Sequence, residues 1–108
     1  MDGKVGFAVI YRWQLHPGKE EQFRQAWERG TVLLMAKRGV LGSRLHRTDC
    51  GTWVACAQWP NRKTWEHSRA LGTVDPGVSR SIGEAEAEAL PPIFLTTVAD
   101  HLQHSAGD

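Results

Sequence analysis

The chain is poor in the residues that make chemistry easy to read: two cysteines, two methionines and a single tyrosine in 108 residues. Two cysteines do not make the disulfide framework of a small secreted domain, and in a reducing compartment they stand as thiols. No run approaches the roughly 20 apolar residues of a membrane span. The start, MDGKVGFAVIYRW, lacks the basic, apolar and small-residue succession of a signal peptide. An excess of one charge is also missing. Thirteen Lys and Arg are interspersed with 12 Asp and Glu, for a net +1, so there is no basic stripe of the kind nucleic acid requires. GxGxxG, phosphate-loop, HExxH, CxxC and nucleophile-elbow patterns are all lacking. These absences predict a cytoplasmic protein with no nucleic-acid or membrane partner.

What is present is ordinary globular composition, 41% hydrophobic and 23% charged, with five tryptophans. The expectation is a single domain over residues 1–108. A domain this small has a poor surface-to-volume ratio, so a second apolar face would gain from association with another copy.

Val5–Leu15 alternates, with Val5, Phe7, Val9, Tyr11, Trp13 and Leu15 on one face, and reads as a strand broken by His16-Pro17-Gly18. The stretch KEEQFRQAWERGTVLLMAKRG reads as a helix, acidic at its start, basic at its end and capped by Gly39. Its apolar stripe is Phe23, Ala26, Trp27, Gly30, Thr31 and Leu34. Strands over Val40–Thr48 and Thr52–Trp59 flank a turn with Gly51 in the left-handed position, a register that sets Thr48 opposite Thr52. Leu41, Ser43, Leu45 and Arg47 then share a face with Trp53, Ala55, Ala57 and Trp59. Arg44 and His46 share the other with Val54, Cys56 and Gln58, and a slip of one residue would exchange the faces. Asn61 is the N-cap of a second helix that turns Trp65 inward. A third, short helix near Val78–Leu90, including the helix-forming run EAEAEAL, is ended by Pro91 and Pro92, and IFLTTVADHL is a last strand. The order is βαββαβ with an extra helical piece: an α+β, ferredoxin-like antiparallel sheet with helices on one face.

The stretches VIYRWQLHPGKEEQFRQAWE and GSRLHRTDCGTWVACAQWPNRKTWEHSRA resemble the antibiotic biosynthesis monooxygenase family of dimeric α+β-barrel proteins. The resemblance rests on a first strand ending in PGKEEQF, a Gly-led second strand with a tight turn, and a third strand ending QWPNRKTW. It covers residues 5 to 71 and implies a homodimer that stacks two sheets, with a pocket in each protomer between sheet and helices. Some members oxidise electron-rich polycyclic phenols to quinones with no metal, flavin or haem, so the resemblance implies no cofactor here. Another branch binds and degrades haem. Its strand-one asparagine would fall at Tyr11, its helix-two tryptophan near Ser68, and its following histidine within LGTVDPG, which has none.

The expected pocket is lined by Tyr11, Trp13, Trp59 and Trp65, for a small hydrophobic or aromatic ligand; taken one at a time, each of these aromatics reads first as plain core. Tyr11 and His67 are the catalytic candidates, with His67 also readable as a solvated helix residue. Arg12, Gln14, Arg44, His46, Cys56 and Gln58 are assigned to the dimer face. His16, His101 and His104 read as loop or terminal residues. His46, Cys50 and Cys56 do not suggest a metal centre, because a strand rise of about 3.3 Å per residue carries Cys56 on the order of 15 Å from Cys50. Two functions remain open: a cofactor-independent monooxygenase, or a non-catalytic dimeric module that binds a small ligand or serves a structural role.

Overall fold

A computed structural model describes residues 6–102; Val5 and His104 lie outside them. The alternating segment forms β1 (Phe7–Leu15). Gly18, at φ +84°, turns the chain into α1 (Glu20–Lys37), whose acidic first turn and basic last turn match the helix macrodipole. A hairpin follows, β2 (Gly42–Arg47) and β3 (Trp53–Trp59). Thr48 N–H donates to Thr52 O at 2.8 Å and Gly51 N–H to Thr48 O at 3.0 Å. Leu45 faces Ala55 and His46 faces Val54, the register expected from the turn. Asn61 caps α2 (Arg62–Ala70), its Oδ1 accepting from Thr64 N–H at 2.8 Å. Asp75 caps α3 (Pro76–Ala85), and β4 (Glu86–Thr96) closes the fold.

The C-terminal third corrects the expectation of a helix to Leu90. The helix stops at Ala85, and Glu86–Leu90 together with both prolines belong to β4. Alternating Glu and Ala satisfies the two-residue period of a strand as well as the propensity of a helix, and pairing with β1 decides between them. Pro91 and Pro92 are tolerated because β4 is an edge strand. Ile10 pairs with Ile93 but Arg12 with Leu90, so the two prolines bulge against Tyr11 alone. The strand also ends at Thr96, short of Leu102.

The antiparallel sheet runs β2-β3-β1-β4, a ferredoxin-like α+β fold. Helices cover the face that carries the odd residues of β1. Trp13 meets Phe23 of α1 edge-on at 4.9 Å, and Trp65 of α2 reaches Tyr11. α3 packs on α1 where Gly30 lets the helices approach; a Cβ there would stand 3.0 Å from Val78 Cγ1. The core joins Phe7, Val9, Val40, Ala57 and Trp59. The opposite face carries Ala8, Ile10, Val54 and Cys56, with Ile93 and Leu95 from β4.

Candidate active site

Small side chains open a space within the helix-covered layer. β3 places Ala55 and Ala57 between Trp53 and Trp59, and α1 offers Gly30 where a larger residue would fill the gap. The result is a cavity of about 490 Å³ between sheet and helices, within the range of roughly 300–1,000 Å³ usual for small-molecule sites. Tyr11, Trp13 and Trp59 line it from the sheet, Trp27 and Leu34 from α1, Trp65 from α2 and Val78 from α3. All four aromatics expected at a pocket therefore stand at this one cavity.

Trp65 is held from several sides. Its ring meets Phe94 edge-on at 4.9 Å and Phe7 at 6.0 Å, and Arg69 lies 5.6 Å over it. Its indole N–H donates to Tyr11 Oη at 2.9 Å. The phenol oxygen is thus an acceptor toward Trp65, and its own proton has no acceptor among the described residues. That leaves an O–H donor at the cavity wall, on an oxygen whose place Trp65 holds. Ser43 Oγ and Trp59 Nε1, on residues that also line the cavity, are buried without partners among the described residues.

The charged groups on this lining are both cationic. Arg38 continues the apolar stripe of α1 by one turn, and its Nη1 donates to Ser68 O at 2.8 Å, Ser68 Oγ at 3.2 Å and Gly72 O at 3.0 Å. It thereby ties α1 to the end of α2 and to the loop before α3. Arg69 is the second cation. Among the described residues the lining has no Asp, Glu, His, Cys or Met. Neither a general base of ordinary type nor a histidine, cysteine or methionine axial ligand for haem iron is available there. Among the described residues no three His, Cys, Asp or Glu side chains gather closely enough to hold a metal ion.

The remaining candidates lie elsewhere. His67 is exposed on α2 and does not line the cavity. Arg12, Gln14, Arg44, His46, Cys56 and Gln58 all fall on the helix-free face. Cys50 and Cys56 are free thiols. Cys50 sits exposed at the hairpin turn, where the hydroxyls of Thr48 and then Thr52 hold its thiol below the usual cysteine range. Arg38, Arg69 and Ser43 were missed as pocket residues. Their spacing carried a signal: Leu34 and Arg38 are four apart, as are Trp65 and Arg69, and Ser43 is the register partner of Ala57.

Comparison with known proteins fits this architecture. The family model described as antibiotic biosynthesis monooxygenase matches residues 6–75, well over half of the chain. The chain belongs to the antibiotic biosynthesis monooxygenase family. Solved structures with the same fold include SnoaB, a cofactor-independent oxygenase from Streptomyces nogalater, at 16% identity, TM-score 0.62, and coverage of 90% of this chain and 95% of that one. PA3566 from Pseudomonas aeruginosa aligns at 17% identity and TM-score 0.69, covering 92% of this chain and 100% of its own. Rv0793 from Mycobacterium tuberculosis aligns at 18% identity and TM-score 0.62, covering 93% and 99%. No curated protein gives a significant match to the sequence. At these identities the likeness to antibiotic biosynthesis monooxygenase folds concerns architecture, and chemistry has to come from the cavity.

Proposed function

We propose that this chain is a cofactor-independent monooxygenase of the family, acting in the cytoplasm as a homodimer on a small electron-rich aromatic such as an anthrone. The observation that supports this most is the Tyr11–Trp65 pair at the wall of an aromatic cavity. In such chemistry the ionised substrate supplies the electrons. A ring methylene between phenolic rings becomes a ketone, and O₂ takes up all the electrons released, one of its atoms entering the ketone and the other leaving as water. The protein's task is to stack the rings, exclude water and stabilise the negative oxygen of the substrate anion. Tyr11 O–H is the donor for that oxygen, and Trp65 holds the phenol in place. With no carboxylate or imidazole among the described lining residues, the substrate enters already ionised or loses its proton to solvent.

Oxygen uptake with a panel of anthrones tests this reading. Uptake by the wild type should fall roughly tenfold to a hundredfold in Tyr11→Phe. His67→Ala, exposed and outside the cavity, should stay within about twofold on the same scale. No uptake above buffer across the panel would remove the oxygenase reading. The missing base is the observation that favours a second reading, a non-catalytic module holding a small aromatic ligand; ligand binding without oxygen uptake would select it.

A further inference from the structure

We infer that the ligand of this cavity is an aromatic anion that carries, besides the oxygen meeting Tyr11, an anionic edge group at the end of the cavity marked by Arg69 and Arg38. This rests on the cavity being the ligand site proposed above, but not on oxygenation taking place there. The described lining residues include two guanidinium groups and no carboxylate, an imbalance that a chain of net +1 with 12 acidic residues does not impose. Among the described residues neither arginine makes an ion pair. Arg24, by contrast, is paired with Glu21 and Glu28, and Arg29 with Asp75.

The two arginines differ in what they can offer. Arg38 spends its Nη1 on the carbonyls of Ser68 and Gly72 and on the Ser68 hydroxyl, so part of its field is taken up by the carboxyl end of the α2 dipole. It is a fixed positive charge. Arg69 is exposed, lines the cavity, and its guanidinium carbon lies 5.6 Å from the centre of the Trp65 ring. No hydrogen bond to a described residue holds it, and its planar fork suits a carboxylate. A ligand whose rings lie beside Trp65 would therefore bring a carboxylate or phenolate on its edge to Arg69, with Arg38, bonded to the adjacent Ser68, adding attraction. A neutral ligand of the same shape would leave this end unused. A cationic one would be repelled.

Isothermal titration calorimetry with anthracene-9-carboxylate, the neutral anthracene-9-carboxamide and the cationic 9-(aminomethyl)anthracene separates these cases. At low salt the carboxylate should bind about tenfold or more tighter than the carboxamide, and the amine weakest. The margin should shrink in 0.5 M salt, about the concentration at which the Debye length falls to a few ångströms. Arg69→Met keeps an aliphatic stem over Trp65 and should remove most of the margin while leaving carboxamide binding in place. Arg69→Lys should restore part of it. Equal affinity for carboxylate and carboxamide, or a margin unchanged in Arg69→Met, would overturn the inference and leave the cavity standing as a ligand site. Binding of none of the three would overturn both. Oxygen uptake does not enter the readout.

Discussion

A single side chain can hold a site together without touching a reacting atom, and Arg38 has that position. It closes the last turn of α1 against the end of α2 and the following loop through carbonyl oxygens, where cation and helix carboxyl end attract. In the sequence it reads as a basic residue at a helix end, a sufficient explanation that hides its place on the cavity wall. The aromatic residues were legible because each strand alternates with a period of two. The arginines were not, because a helical stripe seen without its partner does not say where the apolar face stops. Cys50 illustrates the opposite case, a residue whose surroundings are wholly local. Thr48 and Thr52 flank it in one turn and stabilise its thiolate. A lowered thiol pKa enlarges the thiolate fraction near neutrality. Alkylation by iodoacetamide at pH 7 should therefore label exposed Cys50 well before half-buried Cys56, and Thr48→Ala should move the onset of Cys50 labelling to higher pH. Peptide mass spectrometry reads both sites, and faster labelling of Cys56 would contradict the assignment.

At the scale of elements, the hairpin was the most legible part of the chain and the α3–β4 passage the least. A turn with Gly51 at φ +93° fixes which residues face each other, whereas Glu-Ala repeats suit either a helix or a strand until the neighbouring strand is known. The start of that helix, by contrast, is set locally by its N-cap. Asp75 accepts from Gly77 N–H at 2.8 Å and Val78 N–H at 3.1 Å. Its carboxyl pKa is lowered most by the Val78 amide, an effect that burial opposes and that Gly77 and Arg29 reinforce, so the net direction is down. A folded pKa below the unfolded one means stabilisation that is full above the ordinary aspartate pKa of about 3.9 and is lost as pH falls below it through the folded value. Melting curves should show Asp75→Ala less stable than wild type at neutral pH, with the gap closing in acid, and Asp75→Asn recovering part of the loss because the amide oxygen still caps. A gap that stays constant with pH would sink the assignment. On the other side of the same helix pair, Gly30→Val would drive its side chain into Val78. It should cost about 1–3 kcal/mol in urea unfolding and weaken ligand binding, because both residues line the cavity.

For the molecule as a whole, the unresolved question of the sequence was what covers the second face of the sheet. Helices occupy the other side only. The exposed side sets Ile10 beside Ile93 and Ala8 beside Leu95, with Ile93 and Leu95 each 40% exposed. Among these stands Arg12, whose Nη2 donates to Pro91 O at 3.0 Å while its Nε is buried with no partner among the described residues. Apolar area in this amount is a poor surface to leave in water. A second copy related by a two-fold axis would cover it sheet against sheet, since a self-complementary contact of this kind needs about 800 Å² per partner. Sedimentation velocity at micromolar concentration should then give a mass twice the chain's 12.0 kDa. Ile93→Lys puts a charge on this face from an edge strand, where the side chain is already part-exposed, so the fold should survive by circular dichroism. Its association should weaken at least about tenfold, the factor that corresponds to some 1.4 kcal/mol. A wild-type monomer at micromolar concentration would end the dimer proposal. A folded Ile93→Lys variant that still sediments as an undiminished dimer would keep the dimer and move its interface to another face.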